Sequence, residues 1–149
     1  MKRTLLLAAL AAAIAGMGYV RLAPMDAAEW HVDPEGAERT GKPNDYMIGP
    51  GGDRDAVVLD GTTEDVMARL DAVAMAEPGT TRLAGSPDEG WVTYVQRSRL
   101  MGYPDAITVK AVPTGERTGL ILWSRSRYGQ SDLGVNRARL ERWLTALGA

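Results

Sequence analysis

Residues 106–124 read AITVKAVPTGERTGLILWS. Bulky and β-branched residues fill both ends of this stretch, and Pro113-Thr114-Gly115 interrupts them with turn chemistry, proline presetting one backbone angle and glycine tolerating a positive one. The pattern predicts strands over Ala106–Val112 and Gly119–Ser124 joined as a hairpin, which makes them antiparallel neighbours. Toward the N-terminus, Trp91–Arg97 and Thr80–Ala84 carry the same signal, bounded by Glu77-Pro78-Gly79. Before them, Val57-Val58-Leu59 reads as a short strand, and Gly61-Thr62-Thr63-Glu64-Asp65 supplies a cap and an acidic first turn for a helix that buries Val66, Leu70, Val73 and Ala74. On the C-terminal side a last helix is expected over Asn136–Leu147, with Leu140, Trp143, Leu144 and Leu147 inward. The expected fold is α+β, a mainly antiparallel sheet of about five strands packed against two helices.

The chain of 149 residues has room for one domain after its N-terminal segment is set aside, and it divides into an N-terminal signal or anchor segment (1–21), an extended stem or loop region (22–53) and a single α+β domain (54–149). The stem assignment rests on Asp33-Pro34, Lys42-Pro43-Asn44 and Gly49-Pro50-Gly51-Gly52, which punctuate a stretch without sustained periodicity. Cysteine is absent, which removes disulfides, Cys-based zinc sites, thiol nucleophiles and lipidation at an N-terminal cysteine. Phenylalanine is absent too, so Leu, Val, Trp and Tyr supply the bulk of the core.

Met1, Lys2 and Arg3 precede an uncharged, Leu- and Ala-rich run from Thr4 to Val20, the pattern of an export signal, and positive charge ahead of the run keeps the N-terminus cytoplasmic. The expected location is the periplasm, either anchored in the inner membrane or secreted after signal cleavage. Ala13-Ile14-Ala15 offers a cleavage site, whereas Tyr19 and Arg21 sit where interfacial residues would end a membrane span, and both outcomes stay open.

The net charge of −2 hides an asymmetry: residues 26–96 carry fifteen acids and five bases, and residues 97–142 carry nine bases and four acids. An anionic partner is therefore sought in the basic half. Its densest part is Ser124-Arg125-Ser126-Arg127-Tyr128-Gly129-Gln130-Ser131-Asp132-Leu133-Gly134-Val135-Asn136-Arg137-Ala138-Arg139, which joins the last strand to the last helix. Strand alternation puts Ser124 and Ser126 on one face, Arg125 and Arg127 on the other. Guanidinium groups beside free helix amides suit phosphate, sulfate or carboxylate, so Arg125, Ser126, Arg127, Ser131, Asp132, Asn136, Arg137 and Arg139 are the candidate binding residues. The same donors serve an internal lock if Asp132 pairs with Arg127 or Arg137, and this alternative stands beside the first. Arg97 and Arg99 extend the basic patch if their strand lies alongside.

No catalytic set is assigned. His31, the only histidine, lies in the expected stem beside Trp30, where packing is the commoner role. The carboxylates form no metal-binding spacing, Gly49-Pro50-Gly51-Gly52 lacks the ending of a phosphate loop and reads as a turn, and neither a metal nor a cofactor is expected. The expected partners are an anionic small molecule, an anionic lipid or an acidic protein, with the membrane added if the leader is retained. Export and an acidic overall balance disfavour nucleic acid.

The dense segment resembles the signature of the family known as domain of unknown function 1499, which ends in a pattern like Arg-Ser-x-Ser-Arg-x-Gly-x-Ser-Asp-x-Gly-x-Asn-Arg-x-Arg. Ser124, Ser126, Arg127, Gly129, Ser131, Asp132, Gly134, Asn136, Arg137 and Arg139 match it. Met101-Gly102-Tyr103-Pro104-Asp105 and Lys42-Pro43-Asn44 look like two further family elements, so the resemblance covers residues 40–147. The chain departs from the pattern at Trp123, where an arginine is expected, and at Asp45, where many members have cysteine. The resemblance implies one domain, export or membrane association, and no reaction. The leading expectation is an exported, non-catalytic domain binding an anionic group through this loop. The rivals are a structural or assembly protein whose motif only stabilises its own fold, and a metal-free hydrolase or transferase using Ser126 or Ser131 with Asp132.

Overall fold

A computed structural model describes all residues, Met1–Ala149. The elements run α1 (Lys2–Leu22), α2 (Ala27–Trp30), β1 (Asp45–Ile48), β2 (Val57–Asp60), α3 (Thr63–Ala76), β3 (Thr80–Ser86), β4 (Trp91–Arg97), β5 (Pro104–Thr114), β6 (Arg117–Ser126) and α4 (Val135–Leu147). The hairpin of β5 and β6 is the spine of an antiparallel sheet, its register running from Asp105↔Ser126 to Thr114↔Arg117. β4 and then β3 continue the sheet beyond β5, with a bulge between Arg82 and Ala84. The sheet has six strands rather than about five, because β6 is paired on its other side as well, by β1 near its end and by β2 near its start.

β1 and β2 thus form one interrupted edge. Between them Gly49-Pro50-Gly51-Gly52 loops out and returns, with Gly49 N donating to Arg54 O at 2.8 Å and Asp53 N donating to Met47 O at 2.7 Å. Gly49 has φ 151°, and a Cβ there would lie 2.7 Å from Ile121 Cγ2, so glycine lets the chain leave the sheet against a buried side chain. Asp45–Ile48, part of the stretch expected as stem or loop, belongs to the sheet; four residues interrupted by this turn are too short to display a strand's alternation.

α3 and α4 cover one face. Thr62 Oγ1 accepts from Asp65 N at 3.2 Å to start α3, and Glu64 and Asp65 place negative charge at its positive end. The helices bury Val66, Met67, Leu70, Leu140, Trp143 and Leu144 against Val92, Tyr94, Ile107, Val109, Leu120 and Leu122. Trp143 and Tyr94 meet edge to face at 5.7 Å, filling the centre that phenylalanine would occupy elsewhere.

The opposite face is covered by the chain itself. After α1, residues 23–40 run across it as a strap. His31 stacks on Trp91 at 4.0 Å, with its Nδ1 2.9 Å from Thr93 Oγ1. Lys110 Nζ donates to Asp33 Oδ2 at 2.6 Å and to Glu35 Oε2 at 2.9 Å, and these bonds hold its pKa above the usual lysine value. Arg39 bridges Asp45 and Asp53.

α1 is 21 residues long, about 31 Å at 1.5 Å per residue, which matches the hydrocarbon thickness of a bilayer. It is long and apolar enough to cross a membrane, as both signal sequences and anchors are, and none of its residues is buried against the domain. Only its C-terminal end touches the fold. Arg97 Nη2 donates to Ala23 O at 2.6 Å, and Arg21 Nη1 donates to Leu100 O at 3.1 Å.

Candidate functional site

The corner between β6 and α4 is built by the dense polar segment. Leu133 and Gly134 take left-handed conformations (φ 55° and 82°), and Asp132 caps the helix they lead into, its Oδ1 accepting from Gly134 N at 3.0 Å and its Oδ2 from Asn136 N at 2.6 Å. Asn136 and Arg139 are three apart on α4 and face the sheet together. Asn136 Oδ1 accepts from Ser124 Oγ (2.5 Å) and from Arg139 Nη1 (2.6 Å), while its Nδ2 donates to Asn44 O (3.0 Å) and Ser126 Oγ (2.9 Å). That exhausts the side-chain amide. Arg139 reaches Gln96 Oε1 through Nε (2.5 Å), Ser124 Oγ through Nη1 (2.9 Å) and Asp105 Oδ2 through Nη2 (2.7 Å). With Asn136 included, four of its five donors are engaged, and its side chain is 4% exposed.

Three sequence elements converge here from distant parts of the chain: Asn44, Asp105 and the segment after Ser124. Asn44 also donates through Nδ2 to Gly129 O at 2.8 Å, and its carbonyl accepts from Ser126 N at 3.0 Å. A family model described as "Protein of unknown function (DUF1499)" matches residues 32–147, most of the chain, including all three elements. The chain belongs to the DUF1499 family. No curated protein matches it. The DUF1499 match starts at Val32, within the strap, so Asp33, Glu35 and Arg39 lie inside the family region and Trp30 and His31 just before it. The two departures from the family pattern touch each other, Trp123 Nε1 donating to Asp45 Oδ1 at 2.6 Å. Each supplies what the other needs, an acceptor for a buried indole and a donor for a buried carboxylate.

The candidate residues do not form one cluster. Ser126, Asp132, Asn136 and Arg139 meet in the corner on the helix side of the sheet. Arg125 lies on the opposite face, as strand alternation predicts, and the strap closes over it. Its guanidinium stacks 3.8 Å from the Trp123 ring and 5.4 Å from the Trp30 ring, and Nη2 donates to Trp30 O (2.8 Å) and Thr108 Oγ1 (3.0 Å). Burial pulls its pKa down, to about 10, which leaves it charged at neutral pH. Arg127 turns to the strap and donates to Pro24 O. Arg137 is exposed, 5.9 Å from the Tyr46 ring. Ser131 Oγ accepts from Leu133 N at 3.3 Å at the surface.

The lock expected through Asp132 takes another form. Asp132 pairs with neither Arg127 nor Arg137; both its oxygens hold backbone amides, and the buried ion pair is Arg139 with Asp105. Neither Ser126 nor Ser131 is hydrogen-bonded to Asp132, so the serine–carboxylate pair of the hydrolase alternative is not assembled. Gln96 and Asp105 were not among the candidates. Asp105 has a signal in the sequence, its place in Met101-Gly102-Tyr103-Pro104-Asp105, whereas Gln96 is one polar residue in a strand and has none.

Two open cavities flank the corner. One, of about 570 Å³, is lined by Ser126, Tyr128, Ser131, Asp132, Asp105 and Tyr103, without a guanidinium. The other, of about 700 Å³, lies between α3, α4 and the end of β4 and is lined by Arg97, Arg99, Arg139 and Arg142 against Glu77 and Asp105. Arg142 pairs with Glu77 and Arg139 with Asp105, Arg97 donates to backbone carbonyls, and Arg99 is exposed with no internal bond. Five bases of the basic half, Arg97, Arg99, Arg125, Arg127 and Arg137, form no ion pair, and of these Arg97 and Arg99 line this cavity.

Proposed function

We propose that this chain is an exported, membrane-anchored, non-catalytic domain that binds an anionic group in the groove between α3, α4 and the end of β4, with Arg99 as the principal contact and Arg97 and Arg142 beside it. One observation carries the reading: this groove is lined by four guanidinium groups and only two carboxylates, and Arg99 has no partner within the fold. The dense segment is then the frame of the site, holding Arg139 and Asp105 in its wall. Titrating the detergent-solubilised full chain with glycerol phosphate and inorganic phosphate should give saturable, salt-sensitive binding. Arg99→Ala should weaken it by about tenfold, ~1.4 kcal/mol, while Arg127→Ala leaves it unchanged. Absence of saturable binding, or indifference to Arg99→Ala, would remove the proposal.

A second reading, a structural or assembly protein whose motif only stabilises its own fold, is favoured by the internal occupation of Arg125 and Arg139. It expects no ligand to displace those contacts and no effect of Arg99→Ala on any binding.

A further inference from the structure

Three leucines are at least 80% exposed: Leu22 (83%), Leu100 (80%) and Leu133 (95%). They come from the end of α1, the β4–β5 loop and the β6–α4 loop, and all three segments meet at one end of the molecule. Arg21 donates to Leu100 O, and a Cβ on Gly102 (φ 74°) would lie 2.7 Å from Arg21 Cγ, so the β4–β5 loop is seated against the last turn of α1. Val20 shares a cavity wall with Ser98 and Tyr103 of that loop and with Ser131 and Asp132 of the other. Leu133 is a non-glycine residue in the left-handed region, an unfavourable conformation for a side chain that gains no burial within the fold. α1 itself leaves this end without packing on the domain.

We propose that this end is a bilayer-docking face, on which Leu100 and Leu133 enter the interface of an anionic lipid bilayer and Arg21 and Arg99 meet its phosphates. The inference rests on the anchor reading of α1. If α1 spans the membrane, its last turn is at the lipid headgroups, and the two loops bonded to or bordering that turn are held at the same depth. Exposed leucines beside arginines, with Tyr103 and Tyr128 behind them at 6.2 Å between ring centroids, are the side chains suited to that depth. The occupant is lipid rather than protein because an anchored α1 brings the bilayer to this face without a further partner.

The chain has no cysteine, so single cysteines can report position. Four variants of the full chain, Leu100→Cys, Leu133→Cys, Ala11→Cys in α1 and Thr114→Cys at the far end of β5, are labelled with an environment-sensitive dye. They are reconstituted in phosphatidylethanolamine–phosphatidylglycerol vesicles containing lipids with quenching spin labels. The expected result is a blue shift and strong loss of fluorescence at positions 100 and 133, as at 11, with no loss at 114. Adding Arg99→Glu should reduce the loss at 100 on these vesicles more than on phosphatidylcholine ones. Quenching at 11 with none at 100 and 133 would overturn the docking face and leave the anchor standing. No quenching at 11 would overturn both.

Discussion

At the scale of single residues, Arg139 and Asp132 do different work although they sit in one motif. Arg139 is a buried cation whose acceptors, Asp105, Asn136, Ser124 and Gln96, would all lose a partner at once on truncation. Breaking a buried pair from one side leaves the other charge uncompensated, so Arg139→Ala should cost about 3–5 kcal/mol in chemical denaturation. Adding Asp105→Ala should cost much less than its single effect, because the two share one interaction. Asp132→Ala removes a helix cap, about 1 kcal/mol, and should add independently to Arg127→Ala, since the two residues share no contact. Strong coupling in that second cycle would show that Asp132 and Arg127 interact in solution.

At the scale of elements, the strap is the part whose behaviour follows least from local sequence. It holds on through charge-stacked Arg125, the Lys110 clasp and His31 on Trp91. Burial lowers the pKa of His31 below its ordinary value of 6.5, with Glu89 opposing. A lowered folded-state pKa means that the unfolded chain binds the proton more readily. The stability supplied by neutral His31 is therefore complete above the unfolded value and is lost as pH falls below it toward the folded one. Denaturation of the wild type should become easier between about pH 7.5 and about pH 5.5, and His31→Gln should flatten that slope. An unchanged slope would mean that the ring stays solvated and the strap does not seal it.

At the scale of the whole molecule, α1 decides what the domain meets. Its last turn is wired to the fold through Arg97 and Arg21, and cleavage after Ala15 would leave those contacts in place. The anchor reading expects the chain isolated from membranes to begin at Met1 and to resist an alkaline carbonate wash. A soluble product beginning at Gly16 would convert it to a released periplasmic domain. The charge asymmetry of the sequence also resolves only at this scale: strap acids cover Lys110, Asp105 covers Arg139, and Arg97, Arg99, Arg125, Arg127 and Arg137 are left without an ion pair.

The apolar leader, the β5–β6 hairpin, the capped starts of α3 and α4 and the segregation of Ser124 and Ser126 from Arg125 were legible in the amino-acid sequence. Each of these follows from residues within a turn or two of one another, where backbone preference and side-chain period act directly. That the expected stem contributes an edge strand and a strap, that Arg125 is stacked and Arg139 occupied, and that Arg99 lies in another groove follows from tertiary packing. Those outcomes depend on partners 95 residues away for Arg125 and Trp30 and 34 away for Arg139 and Asp105. A guanidinium binds whichever acceptor burial brings to it, and burial is settled by how the layers pack.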